Sequence, residues 1–133
     1  MATRGIYKFI DNVSTHYVYK HWDNYPSAAA KFIQNALEFS WELPRFEADE
    51  FSTSFIVANK KESGDVRLMD KLEEDEASII ASLDERWIEF LYEISCKDNK
   101  LHVKVVDIRK GSCCFAGYLD EFTTKYQDNE LNS

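Results

Sequence analysis

Glycine and proline are scarce in this chain, four and two among 133 residues, and the glycines stand in no phosphate-cradling pattern. Dinucleotide folds and P-loop enzymes need a glycine-rich turn between a strand and a helix, so both are excluded. Cysteine is also scarce and odd in number: Cys96, Cys113 and Cys114. Vicinal cysteines seldom bridge each other, and no C-x-x-C spacing offers zinc or redox chemistry. Reduced thiols in the cytoplasm are the expectation. Long apolar runs are absent, none approaching the roughly 20 residues needed to cross a bilayer. The opening Met1-Ala2-Thr3-Arg4-Gly5 lacks the apolar core of a signal peptide, which agrees with a cytoplasmic chain off the membrane.

Cations are outnumbered, 16 Lys/Arg against 24 Asp/Glu, for a net charge of −8. The deficit is uneven: residues 1–46 hold five Lys/Arg against four Asp/Glu, and the remainder eleven against twenty. Phosphate backbones are bound by cations, so direct nucleic-acid binding is not expected. An acidic surface either keeps the chain soluble or docks on a basic partner.

Hydrophobic residues make up 44% of the chain and aromatics 14%. One domain of residues 1–133 that buries its own core follows from that content and length. Period-two alternation over Arg4–Ile10 and Thr15–His21, with turn formers at Asp11–Ser14, predicts a β-hairpin. Pro26-Ser27 opens a helix to about Phe39, with Ser27 as its cap and Ala29, Phe32, Ile33, Ala36 and Leu37 on one face. A second helix, after Leu43-Pro44, carries Ala48, Phe51, Phe55 and Ala58 on one stripe, and Glu62–Asp65 ends it. Val66–Met69 is expected to be a short strand, with further strands at Ser78–Ser82, Trp87–Ser95 and Leu101–Ile108. Lys97–Lys100 forms a four-residue loop between the last two, and Phe115–Tyr126 a C-terminal helix ahead of a frayed tail at 127–133. The predicted class is α+β: an antiparallel sheet, with hairpins near 4–21 and 87–108, packed against two central helices and the C-terminal one.

The chemically densest stretch is Lys20-His21-Trp22-Asp23-Asn24-Tyr25-Pro26-Ser27. Helix N-termini attract anions, so Lys20, His21, Trp22, Asp23 and Tyr25 at such an end, with Arg4 opening the neighbouring strand, suit a planar or phosphate-bearing ligand. The same residues also serve as a structural corner, Asp23 accepting turn amides and the rings covering the core edge. Arg4 either holds an anion bidentately or pairs with Asp23. His16 faces away from His21 on an ideal strand, so no metal site is expected, and no cofactor. A Cys–His nucleophile from Cys113 or Cys114 with His21 or His102 has nothing in the sequence to align it. The run Glu73-Glu74-Asp75-Glu76 lacks the glycine and alternating oxygens of a calcium loop and stands as an acidic edge.

The segments Thr3-Arg4-Gly5-Ile6-Tyr7-Lys8-Phe9 and Val18-Tyr19-Lys20-His21-Trp22-Asp23-Asn24-Tyr25-Pro26-Ser27 resemble a family of small uncharacterised phage, prophage and bacterial proteins. Its members read T-R-x-x-x-x-F and then Y-x-H-x-D-G-Y-P-x-G. Leu43-Pro44-Arg45-Phe46-Glu47-Ala48-Asp49-Glu50-Phe51 resembles a block of some members, so the likeness spans about the first sixty residues. Asn24 replaces the usual glycine, a mild change because Asn also reaches positive φ. Ala28 replaces a second glycine, and its methyl would hinder a ligand at that helix end. The resemblance implies an origin in mobile elements and brings no activity with it.

Three functional expectations follow. The first is a non-enzymatic phage-type binding protein that associates with a host protein or complex and counters host defence through the acidic face Glu73, Glu74, Asp75 and Glu76. The second is a binder of a small nucleotide signal through Arg4, Lys20, His21, Trp22, Asp23 and Tyr25. The third is a small hydrolase or transferase with no catalytic residue nominated. The amphipathic stripes on the two middle helices leave a homodimer open.

Overall fold

A computed structural model describes residues 2–72 and 75–131, with the side chains at 62, 63 and 127–131 outside that description. Six strands and four helices follow one another as β1 (Arg4–Ile10), β2 (Thr15–Lys20), α1 (Pro26–Leu37), α2 (Ala48–Ser63), β3 (Val66–Met69), α3 (Glu76–Glu85), β4 (Ile88–Lys97), β5 (Lys100–Asp107), β6 (Ser112–Tyr118) and α4 (Leu119–Leu131). The strands form one sheet in the order β3-β2-β1-β4-β5-β6, so the fold is α+β.

Asp11 sets the first hairpin. Its Oδ1 accepts the amides of Val13 and Ser14 at 2.7 and 2.8 Å, closing the turn, and its Oδ2 accepts Ala48 N at 2.7 Å. The residue flanking α2, Glu47, gives its helix no side-chain cap, so a carboxylate from a distant turn satisfies the first amide. These amides hold the Asp11 carboxyl below its usual range, the Ala48 bond contributing most.

Alternation in the strands sorts the core into two faces. Tyr7, Phe9, Val18, Tyr92, Ile94, Val103 and Val105 meet α1, α2 and α4 on the first face. Alanines 29, 30 and 36 are fully covered, and their small side chains let α1 lie close to its neighbours. Ile6, Tyr17, Leu91, Val106 and Ile108 occupy the second face, which among the described residues is covered by the ten-residue α3, through Ile79 and Leu83, with Met69 and Leu72 beside it.

Several elements differ from the sequence reading. The sheet is mixed, because β1 pairs parallel with β4 while every other pair is antiparallel. Two hairpin-bearing halves joined by a long crossover place their first strands side by side. Ser78–Ser82, expected to be a strand, is the middle of α3: Asp75 caps that helix by accepting Ser78 N at 3.0 Å, and Ile79 and Leu83 lie one turn apart. Phe115–Tyr118 is the end of β6 and not the start of the last helix, which begins at Leu119. The loop at Lys97–Lys100 is shorter than expected, since these two residues pair and only Asp98 and Asn99 turn, both at positive φ. The expected fraying at 127–133 finds α4 continuing to Leu131, with 132–133 outside the described residues. Among the described residues no helix is long and apolar enough to cross a membrane.

Candidate functional site

The corner after β2 is knitted from within. Lys20, the last residue of β2, is fully covered, its ammonium donating to the Trp22 carbonyl and lying 3.7 Å from the Phe32 ring centroid. Burial lowers its pKa to about 8, with Asp23 opposing. Asp23 takes the left-handed turn position at φ 61°. Asn24, also covered, donates through Nδ2 to the carbonyls of Thr3, Lys20 and Trp22 at 2.9, 2.8 and 3.0 Å, and accepts the Tyr7 hydroxyl at 2.8 Å. Its backbone carbonyl accepts the Tyr92 hydroxyl at 2.6 Å. This corrects the reading of Asn24 as a positive-φ substitute for glycine: the left-handed residue is Asp23, and Asn24 works through its side chain. Gly5 makes room for it, since a Cβ there would stand 2.7 Å from Asn24 Cβ.

The helix that begins here lacks the expected cap. Tyr25 holds the N-cap position with no side-chain hydrogen bond, Pro26 opens the helix, and Ser27 lies inside the first turn. Trp22 and Tyr25 remain 47% and 45% exposed. Lys20 is therefore part of the interior and faces no ligand space, whereas the two rings stand on the surface above it.

Strand alternation sends Arg4 and His21 to the second face of the sheet. Tyr19 reaches the same face, and its hydroxyl lies 2.6 Å from His21 Nδ1. Burial raises the Tyr19 pKa, against the opposing charges of Arg4, Arg67 and Arg86. Burial thus favours the protonated phenol, and the hydroxyl and the ring nitrogen share one hydrogen bond. Tyr19, Arg67, Asp70, Lys71, Arg86 and Ile88 are among the residues that line a cleft of about 570 Å³. The Arg67 guanidinium lies 5.2 Å from the Tyr19 ring centroid and is held by Asp65 at 3.2 Å. Arg4 Nε is buried without a hydrogen-bond partner. The expected Arg4–Asp23 pair does not form, because the two lie on opposite sides of the strand ends; among the described residues neither Arg4 nor Arg86 joins an ion pair.

A second recess of about 270 Å³ opens at the same end of the sheet, lined by Ala2, Arg4, Trp87, Glu89 and Arg109. Arg109 and Glu89 pair at 2.9 Å. Sequence reasoning named Arg4 and His21 but missed Arg67, Arg86 and Trp87, which lie 40 or more residues beyond the motif and reach it only through the order of strands.

The acidic run divides by role. Asp75 caps α3, Ser78 donating to it from both backbone and hydroxyl, and these bonds hold its carboxyl below the usual range. Glu76 pairs with Lys104 at 3.3 Å. Glu73 and Glu74 lie outside the described residues. The thiols have no histidine for a partner: Cys113 donates to the Phe115 carbonyl, Cys114 is raised in pKa chiefly by burial, and His102 stands edge-on to Tyr118. Among the described residues no three metal-ligating side chains gather.

The class that the geometry defines is an α+β protein with one helix-packed sheet face and one half-open face bearing cations. Comparison with protein-family models, with curated proteins and with solved structures finds no match for the chain.

Proposed function

We propose that the protein is a non-enzymatic binding protein that takes up a small phosphate-bearing anion in the cleft beside Tyr19. The observation that carries this reading is the lining of the cleft, which sets Arg67, Lys71 and Arg86 around Tyr19, with Asp70 beside them, in a chain of net charge −8. Gathering like charges costs free energy, and an anion removes that cost. Guanidinium forks match phosphate oxygens bidentately and bind them more strongly than neutral donors do. Asp65 fixes Arg67 in advance, which lowers the ordering cost of binding. Binding is favoured over catalysis because the cationic side chains of the cleft, Arg67, Lys71 and Arg86, suit holding an anion.

The test is a titration with inorganic phosphate and pyrophosphate, followed by thermal unfolding. Ligand at one hundred times its dissociation constant stabilises by about 2.7 kcal/mol, so a melting temperature that climbs with pyrophosphate supports the reading. A flat response to both anions would refute it.

A second reading, association with a host protein in a phage setting, draws on the exposed Trp22 and Tyr25 rings and on the excess of acid after residue 46. Exposed aromatics suit a protein interface, and an acidic surface suits a basic partner. Its check is binding to a basic nucleic-acid-binding protein: affinity should fall with salt and on replacing Trp22 with Ala, and indifference to both would end it.

A further inference from the structure

Trp87 is out of keeping with its place in the fold. It follows the last turn of α3, its amide donating to the Asp84 carbonyl at 3.1 Å, and adopts φ 64°. That is the left-handed position just past a helix end, where glycine or asparagine is the usual occupant. A bulky side chain there strains the backbone, and this one gains little burial in return, remaining 69% exposed. Folding alone gives no reason to hold the largest side chain in a disfavoured conformation facing solvent. Recognition does, because backbone strain concentrates where a ligand is clamped.

The indole lines the recess with Arg4, Glu89 and Arg109, while its neighbours Arg86 and Ile88 line the cleft beside Tyr19. The start of β4 thus serves both cavities from alternate residues. Arg4 links them, lining the recess while it pairs along the β1–β4 ladder with Ile88, which lines the cleft. One cavity offers cations for phosphate. The other offers an aromatic face, with the Glu89–Arg109 pair supplying an acceptor and a donor beside it.

We infer that the anion is a nucleotide, its base stacked on Trp87 in the recess and its phosphates held in the neighbouring cleft. This rests on the phosphate-binding reading above and adds the ligand's class to it. Base-on-aromatic stacking is sequence-tolerant and contributes roughly ten- to hundredfold in affinity. The Glu89 carboxylate and Arg109 guanidinium face the polar edge of the base, so exchanging those two residues should change which base is preferred.

The experiment uses the full chain with Trp22 and Trp41 replaced by Phe, leaving Trp87 as the sole indole. AMP, ADP and ATP are titrated against ribose 5-phosphate and pyrophosphate, following fluorescence and heat. Nucleotides should quench Trp87 and bind at least tenfold more tightly than ribose 5-phosphate. In the otherwise native chain Trp87→Gly should erase that advantage and leave pyrophosphate affinity unchanged. Because glycine suits the left-handed position, Trp87→Gly should also raise the melting temperature, whereas a tryptophan kept for packing would lower it on removal. If pyrophosphate binds but nucleotides gain nothing over ribose 5-phosphate, or keep their gain without Trp87, the base-stacking inference falls and the phosphate reading stands. If no anion binds, both fall.

Discussion

Asn24 concentrates more of the fold into one side chain than any other residue of the corner. Its amide ties the chain before β1, the end of β2 and the turn into α1 through three carbonyls, while its oxygen takes a phenol from the middle of β1. All of this lies out of water, where an unmet group costs about 1–3 kcal/mol. Asn24→Asp changes two atoms' chemistry and sets a carboxylate oxygen against three carbonyl oxygens. Unfolding in urea should show a loss of about 3 kcal/mol or more at neutral pH, larger than for Asn24→Ala, because repulsion is added to the missing bonds.

Lys20 gives the same corner a pH signature. The folded chain holds that proton with a pKa of about 8 against the ordinary 10.5. Between those values the unfolded chain binds the proton more readily, so this residue makes stability rise as pH rises from 8 to 10.5. Its contribution is fully present above the higher value and is lost as pH falls through the lower one. The gap bounds the effect at about 3 kcal/mol. Lys20→Met keeps the length of the buried chain, so its stability relative to wild type should be greatest near pH 7 and should shrink across that window. A constant difference between the two proteins would contradict the buried charge.

At the scale of elements, the sequence was most legible where period two and turn chemistry agreed. Both hairpins, the stripe of α1, the acids of α2 and its end at Gly64 follow from local pattern. It misled where a short amphipathic segment had β-branched residues in its middle. Ile79-Ile80 reads as strand until Asp75 is recognised as a cap and Ile79 and Leu83 as one buried face. Phe115 reads as helix because Leu119, Phe122 and Tyr126 continue its spacing. Yet Gly111 at φ 68° turns the chain back along β5 first. No local pattern reveals Asp11 as the cap of α2, since 37 residues separate it from Ala48. That contact joins hairpin to helix. Asp11→Ala should cost about 1–2 kcal/mol, the worth of a helix cap, and hydrogen exchange should quicken in the first turn of α2 as well as in the hairpin.

At the scale of the molecule, the decisive fact is an uneven sandwich. Three helices seal one sheet face, and one short helix leaves the other partly open. The motif that stands out in the sequence straddles the sheet, so its residues part company. Lys20 and Asn24 go to the sealed side, and Arg4 and His21 to the open one. A sequence presents those four as neighbours. The parallel pairing of β1 with β4 brings Arg86 and Trp87 to the same end as Arg4. Of the residues expected to form a site, Arg4 lines a recess and Lys20 lies in the interior, while the lining delivered by β3, α3 and β4 had no signal near the motif. Net charge was equally silent, because an overall excess of acid conceals a local gathering of arginines.

Calorimetric titration of pyrophosphate into the wild-type chain and into an Arg67→Ala, Arg86→Ala double variant tests the central claim most directly. The cationic cleft should bind one equivalent, weaken with rising salt, and lose at least tenfold in affinity, about 1.4 kcal/mol, when the two guanidinium groups are removed. Absence of binding to the wild type, or equal affinity in the variant, would contradict it.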